Sequence, residues 1–376
     1  MTKRAETGWL GERTGMVTIK AGALADLVRD IFAKTGCSRS EAERIGKYLV
    51  SANLTGHDSH GVVRVPRYVH WQNTGVVFAD REIKVLTETP VLAVVDGLHG
   101  FGQTVAPQAV AIGIEKCKKN GLAMIALRNA GHIGRVGDWA EMAAAEGLVS
   151  VHFVNASGSV LVAPFGGTER RLSTAPFVVG VPRPGEMPVV LDFATSIVAE
   201  GKVLVASQGG KKLPDNALID RDGEMGTDPH LLYGDYSATG PRDHSKGKGA
   251  IRAFGEHKGS GLALMCELLG GSLTGMSATG EGRRFGNGML SFYVDPKVVD
   301  PETMFAQDVA RYIAYFKSAK PATSGAEVLI PGEPEQRTRA HRSQEGVPLP
   351  DDTWAAILAT ARDVGVDENR IQQATA

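Results

Sequence analysis

Leu24, Leu27, Val28, Ile31 and Phe32 recur three and four residues apart, so the spacing predicts an amphipathic helix over Ala21–Thr35, stopped by Gly36. Ser38-Arg39-Ser40-Glu41 has the form of a capping box, and Ile45, Leu49 and Ala52 carry a second helix from it towards Gly56. Apolar runs of strand length follow at Ile83–Leu86, Val91–Val95, Leu122–Leu127, Leu148–Val154, Phe177–Val181, Val189–Phe193 and Asn287–Val294. Helical spacing returns between them: Val62–Asn73, a helix holding Val105, Ala109, Ile112 and Cys117, then Asp138–Ala145, Thr195–Ala206 and His257–Thr274. Two helices, Pro301–Lys317 and Asp351–Val364, are expected near the C-terminus, joined by a polar loop with Pro331-Gly332-Glu333. Residues 209 to about 250 are poor in apolar side chains, and a loop that long is expected to be functional or mobile. Strands and helices alternate without a steady strand–helix–strand beat, which predicts α+β layers rather than a doubly wound sheet.

Composition narrows the partners. The chain has 376 residues and a formal net charge of -1, with no basic face of the kind that binds nucleic acid. Its apolar runs are too short to span a bilayer. Met1–Gly15 is polar and lacks a signal-peptide core, so residues 1–15 are expected to form a disordered extension. Cys37, Cys117 and Cys266 are scattered and odd in number, which fits a reducing cytoplasm better than a disulfide framework.

No window satisfies G-x-G-x-x-G or G-x-x-x-x-G-K-[ST], so a dinucleotide, if bound, is not held on the usual fingerprint. The densest chemistry lies in His57-Asp58-Ser59-His60-Gly61-Val62-Val63-Arg64-Val65-Pro66-Arg67-Tyr68. Read as a helix start, it puts His60, Arg64 and Tyr68 on one face at i, i+4 and i+8. A guanidinium there suits a carboxylate, and an imidazole one turn away suits proton transfer. The plain alternative is a Ser59 cap followed by surface charge. His57, Asp58 and His60 also permit a metal reading, hydrolase or lyase, although no third ligand at suitable spacing stands out. His132 sits among glycines in Gly131–Gly137. Asp192 ends an apolar strand, where it caps the next helix or orients an imidazole. Lys258, among glycines at a helix start, suits phosphate or is a surface lysine.

Taken in order, several runs resemble the second type of malate/L-lactate dehydrogenase, a family with sulfolactate, ureidoglycolate and diketogulonate enzymes and a cyclic imino acid reductase. They are Asp58-Ser59-His60-Gly61 with Arg64, Pro66 and Tyr68; Gly131-His132-Ile133-Gly134; Leu191-Asp192-Phe193-Ala194-Thr195; Lys258-Gly259-Ser260-Gly261-Leu262; and Pro331-Gly332-Glu333. The resemblance implies a non-Rossmann NAD(P)-binding fold with a mixed, largely antiparallel sheet flanked by helices, and a homodimer. It implies a helical and substrate domain at 16–125 plus 320–376, and an NAD(P)-binding domain at 126–319. Ser59, His60 and Asp192 match the family's proton relay, with His132 the rival acid–base group. Arg64 would grip the substrate carboxylate and Tyr68 would line the same pocket. His132, Ser157, Thr174, Asp192, Lys258, Gly332 and Glu333 would contact NAD or NADP, and no metal is implied. Ala175 departs from the family, which often carries Asn there. The expected activity is hydride transfer between NAD(P) and a small 2-hydroxy or 2-oxo acid. Cyclic imino acid reduction is the nearest alternative, and a silent binding protein a more distant one.

Overall fold

The computed structural model describes residues 15–207, 212–236 and 242–375. The expected N-terminal extension therefore lies outside the described residues apart from Gly15, whose carbonyl accepts the Asp351 N–H at 3.0 Å. At the centre is a seven-stranded sheet in the spatial order Lys84–Glu88, Leu92–Asp96, Leu122–Ala130, Gly286–Val294, Val149–Ser157, Pro176–Val181 and Val189–Ala194. Neighbours are antiparallel except Leu92–Asp96 beside Leu122–Ala130, whose parallel pairing needs the crossover helix Gly102–Asn120. This is the α+β class with a mixed, largely antiparallel sheet.

Among the described residues three large apolar clusters hold the layers. Helices Gly102–Asn120 and Gly137–Ala145 pack Val105, Ala109 and Trp139 against the sheet residues Ile125, Val154, Val178 and Met289. Helices Ala21–Lys34, Arg39–Leu54, Val65–Asn73 and Asp351–Asp363 share a second cluster around Leu24, Ile31, Leu49, Tyr68 and Ile357. Strand Met16–Ile19 pairs antiparallel with Val347–Pro350, so the two ends of the chain close this helical body. A third cluster, with Leu218, Leu232, Tyr233 and Ile251, lies under a four-stranded sheet ordered Met225–Gly226, Leu218–Ile219, Ala250–Arg252, Val162–Ala163. The division expected after residue 125 falls inside the strand Leu122–Ala130.

Several expected elements change. The described part of the 209–250 segment is no open loop: Leu218, Leu232 and Tyr233 are fully buried. The helix expected from Thr195 begins at Glu200, because Thr195 turns back to donate its N–H and hydroxyl to the Ala175 carbonyl. Helix His257–Cys266 runs into a wide π-type turn, Glu267–Leu273. The wide turn puts the buried Glu267 carboxylate within reach of Ser173, Asn155 and the Thr279 N–H. Nor is that stretch buried all round, since Leu264, Met265, Leu268 and Leu273 are exposed. The polar loop near Pro331 contains a full helix, Glu333–Glu345, which ion pairs rather than an apolar stripe attach to the body.

Candidate active site

Residues 57–68 do not form one helix. Asp58–His60 and Val62–Arg64 are separate 3-10 turns, and the α-helix starts at Val65 with Pro66 in its first turn. Gly61 breaks the run with φ -89° and ψ -150°. It must be glycine, since a Cβ there would sit 2.1 Å from Asn53 Oδ1. Asn53 Oδ1 accepts the Val62 N–H at 2.8 Å, and its amide donates to Asp58 Oδ1 at 2.7 Å. Arg342, from the unanticipated helix, donates to both oxygens of Asp58 at 2.7 and 3.1 Å. Asp58 therefore clamps the turn that presents His60.

The turn faces a cavity of about 280 Å³ whose lining includes His60, Arg64, Arg67, Trp71, His132, Gly134, Gly158, Thr174, Glu200, His244, Phe285 and Asn287. The same-face arrangement expected of His60 and Arg64 is thus achieved across a kink. Ser59 Oγ lies 2.9 Å from His60 Nδ1. The His60 and His132 rings stack with centroids 5.4 Å apart. Tyr68 does not line this cavity. It is 2% exposed and stands behind His132, its hydroxyl 2.5 Å from Nδ1, while Gln103 Nε2 donates to that hydroxyl at 3.1 Å. Each imidazole is thereby held through Nδ1, which leaves Nε2 for a ligand.

Charge in the cavity is organised around Glu200, which the sequence did not single out. Its carboxylate lies 3.8 Å from Arg64 Nη2 and 3.9 Å from Arg67 Nη1, and it accepts the Tyr233 hydroxyl at 2.9 Å. Burial pushes this carboxyl up, but Arg64, Arg67 and Tyr233 outweigh burial and keep it below the usual range. Burial and the neighbouring Arg64 lower His60 to about 3. The same two causes, in that order, hold His132 well below its ordinary value, and burial lowers His244. Among the described lining residues, burial favours the neutral form of all three imidazoles, and two guanidiniums against one carboxylate leave one surplus positive charge. Gly201 lets this helix start approach, because a Cβ there would meet the Ser59 Cβ at 2.5 Å.

The other expected residues fall in different places. Thr174 lines the cavity, and Ser157 is buried just before the lining residues Gly158 and Ser159. Asp192 neither caps the helix after it nor hydrogen-bonds His60. Its Oδ2 accepts the Gly137 N–H at 2.7 Å, capping helix Gly137–Ala145, and lies 4.0 Å from Arg135 Nε. Gly332, at φ 90°, lies against the same strand, where Pro331 accepts the Val190 N–H at 3.2 Å. Glu333 pairs with Lys317 and Arg337, which hold it down at about 2. Lys258 is exposed in the first turn of its helix. His57, Asp58 and His60 diverge to Glu335, Arg342 and Ser59, so they do not converge on one point as a metal site would require. Arg67, Trp71, Phe285, His244 and Asn287 were not anticipated. Arg67 alone lay in the marked run, and the others carry no local signal.

Two stacked imidazoles beside a guanidinium pair with unspent charge give the cavity the chemistry to attract a small anion and to move a proton. The model of the malate/L-lactate dehydrogenase family matches residues 19–358. The chain is 37% identical over 358 residues to hydroxycarboxylate dehydrogenase B of Escherichia coli (strain K12), covering 94% of this chain and 96% of that one. Among solved structures, malate dehydrogenase from Pyrococcus horikoshii aligns with a TM-score of 0.81 at 27% identity, covering 96% of this chain and 99% of that chain. Sulfolactate dehydrogenase from Methanocaldococcus jannaschii aligns with a TM-score of 0.80 at 29% identity, covering 94% and 100%. The protein belongs to the malate/L-lactate dehydrogenase family, and it is an oxidoreductase of that kind.

Proposed function

We propose that the cavity binds a small 2-hydroxy or 2-oxo acid beside NAD or NADP, and that the protein catalyses hydride transfer between them. The observation that carries this reading is the single surplus positive charge next to two imidazoles with free Nε2 atoms. One substrate carboxylate neutralises that charge, and Arg64 is placed to take it. The lining fits a nicotinamide. Ile133, Gly134, Val154, Ala156, Gly158 and Pro176 give an apolar lining, with Thr174 and Asn287 as polar partners. Asp192 on the strand Val189–Ala194, and Gly332 with Glu333 in the turn that meets this strand through Pro331 and Gly332, are the residues we assign to the remainder of the dinucleotide, with Ser157 and Lys258. When bound, the dinucleotide supplies or accepts the hydride.

The chain's own residues handle charge and protons. Neutral His60 is ready to act as base when the hydroxy acid is oxidised. In reduction, the substrate carboxylate offsets the field of Arg64 and favours the protonated ring, and His60 passes that proton to the carbonyl oxygen. Ser59 keeps the ring oriented in both states by accepting from Nδ1–H, which leaves Nε2 to take up or give up the proton. The Tyr68 hydroxyl accepts from Gln103 and donates to His132 Nδ1, so neutral His132 presents Nε2–H to the same oxygen. The free, buried cysteines fit a cytoplasmic enzyme. The exposed Leu264, Met265, Leu268 and Leu273 fit a homodimer, which light scattering of the purified protein would test.

The direct experiment follows nicotinamide absorbance while crossing both cofactors with pyruvate, malate, sulfolactate, ureidoglycolate and cyclic imino acids. The expected result is turnover of a 2-hydroxy or 2-oxo acid that EDTA leaves intact. His60→Ala then lowers kcat by roughly 10²-fold or more. Undiminished turnover in His60→Ala would transfer the acid–base role to His132, and no absorbance change with any acid would refute the reading.

A further inference from the structure

We propose that Glu200 limits this enzyme to acids with a single carboxylate and turns away dicarboxylates. The inference rests on the cavity being the substrate site. Arg64 and Arg67 would together make a natural clamp for a diacid, one guanidinium for each end. Glu200 already stands against both, at 3.8 and 3.9 Å. It is 8% exposed, and the buried Tyr233 hydroxyl fixes one of its oxygens at 2.9 Å. It cannot readily swing aside, and an ionised carboxylate at that position spends one of the two positive charges.

The geometry then selects the substrate. Arg64 can take one carboxylate, but the second carboxylate of a diacid, directed at Arg67, would meet Glu200, which already stands against that guanidinium. Two like charges about 5 Å apart, at the effective dielectric of a partly buried site, weaken binding by roughly 10²-fold. The remaining wall is suited to an uncharged side chain: Trp71 stacks on Phe285 at 4.5 Å, and Phe285 on His132 at 6.4 Å. The substrate class is therefore a 2-oxo or 2-hydroxy monocarboxylate with an uncharged, apolar or aromatic side chain.

The test compares oxaloacetate with its C4 amide, 2-oxosuccinamate, which has nearly the same shape and one charge fewer. With the wild type, kcat/KM is expected to favour the amide by roughly 10²-fold. In Glu200→Gln, the lining gains one net positive charge, and the ratio should collapse to within about tenfold through a gain on oxaloacetate. Wild-type enzyme that reduces both equally well overturns the proposal, and so does a Glu200→Gln variant with an unchanged ratio. If that variant does not fold, the wild-type ratio decides alone. Wild-type protein that reduces no 2-oxo acid with either cofactor defeats the dehydrogenase reading as well. Brisk reduction with a ratio near one defeats this inference only.

Discussion

Tyr68→Phe removes one oxygen and nothing else. The ring keeps its packing against Phe32, Phe101 and Trp71, with centroids 6.4, 6.1 and 5.7 Å away. The lost hydroxyl is 2.5 Å from His132 Nδ1 and accepts Gln103 Nε2 at 3.1 Å. Gln103 Nε2 retains the His132 carbonyl at 3.3 Å, so the group left without a partner is His132 Nδ1. Orphaning one buried polar group costs about 1–3 kcal/mol of stability. Burial pushes the Tyr68 phenol up to about 12, so the hydroxyl stays protonated in any ordinary assay and its loss is a hydrogen-bond effect. Without it His132 is free to turn and to exchange tautomers. The fraction presenting Nε2–H falls, and kcat/KM should drop roughly 10- to 10²-fold, equivalent to about 1.4–2.7 kcal/mol in the barrier. Urea melts and initial rates from nicotinamide absorbance measure the two losses separately. Should stability fall by the expected amount while kcat/KM stays within about twofold of wild type, the hydroxyl serves packing alone and His132 has no part in the reaction.

Other substitutions probe the supports of the site. Gly201→Ala puts a Cβ 2.5 Å from that of Ser59, so the His60 turn must shift; kcat should fall by more than about tenfold, and a variant with full activity would refute the contact. Arg342→Met leaves Asp58 held by Asn53 alone and removes a donor from the Asn53 carbonyl. Thermal melts should show a loss of about 1–2 kcal/mol, since Asp58 is partly exposed. Acid should also unfold the protein earlier than its carboxylates require. His60 and His152 are lowered from 6.5 to about 3, so the unfolded chain binds more protons below about pH 6.5. Their contribution is complete above pH 6.5 and is lost as pH falls towards 3, at up to about 1.4 kcal/mol per pH unit for each. Asp138, raised to about 6 by burial despite Arg135, acts in the opposite sense. Comparing wild type with His152→Asn isolates one histidine, and identical slopes of stability against pH in the two proteins would show that His152 titrates normally.

The sheet was legible in the sequence because its strands are short apolar runs bounded by Gly, Pro and Asn, and each expected strand is present within a few residues. Helix Glu333–Glu345 was not, because Glu-Pro-Glu-Gln-Arg-Thr-Arg-Ala-His-Arg-Ser-Gln-Glu has no apolar stripe for periodicity to find. It is held by Arg339 on Glu141, Arg342 on Asp58 and Glu335 on His57, contacts spanning some 200 to 290 residues of sequence. A charged stretch reads as solvated surface until its partners are known, and those partners lie in other layers of the fold.

The site divides along the same line. His60 and Arg64 were legible because the two groups lie four residues apart, and the fold keeps them on one cavity even though Gly61 breaks the helix assumed for them. Helical spacing puts Tyr68 on the face of His60 and the family resemblance puts it in the pocket, yet it stands behind His132. The kink moves the frame, so the i+8 position no longer shares the face of i. The position of Asp192 suggests a cap for the helix after it or a partner for an imidazole, and it caps a helix that begins 55 residues earlier. Glu200 lies inside a stretch that reads as one helix from Thr195, and nothing in Ala199-Glu200-Gly201 marks it as facing two arginines 133 and 136 residues away. Local spacing finds groups that act within one turn of backbone. Whether they add up to one free charge or two depends on a carboxylate delivered by another layer, and that balance decides which acids the cavity will hold.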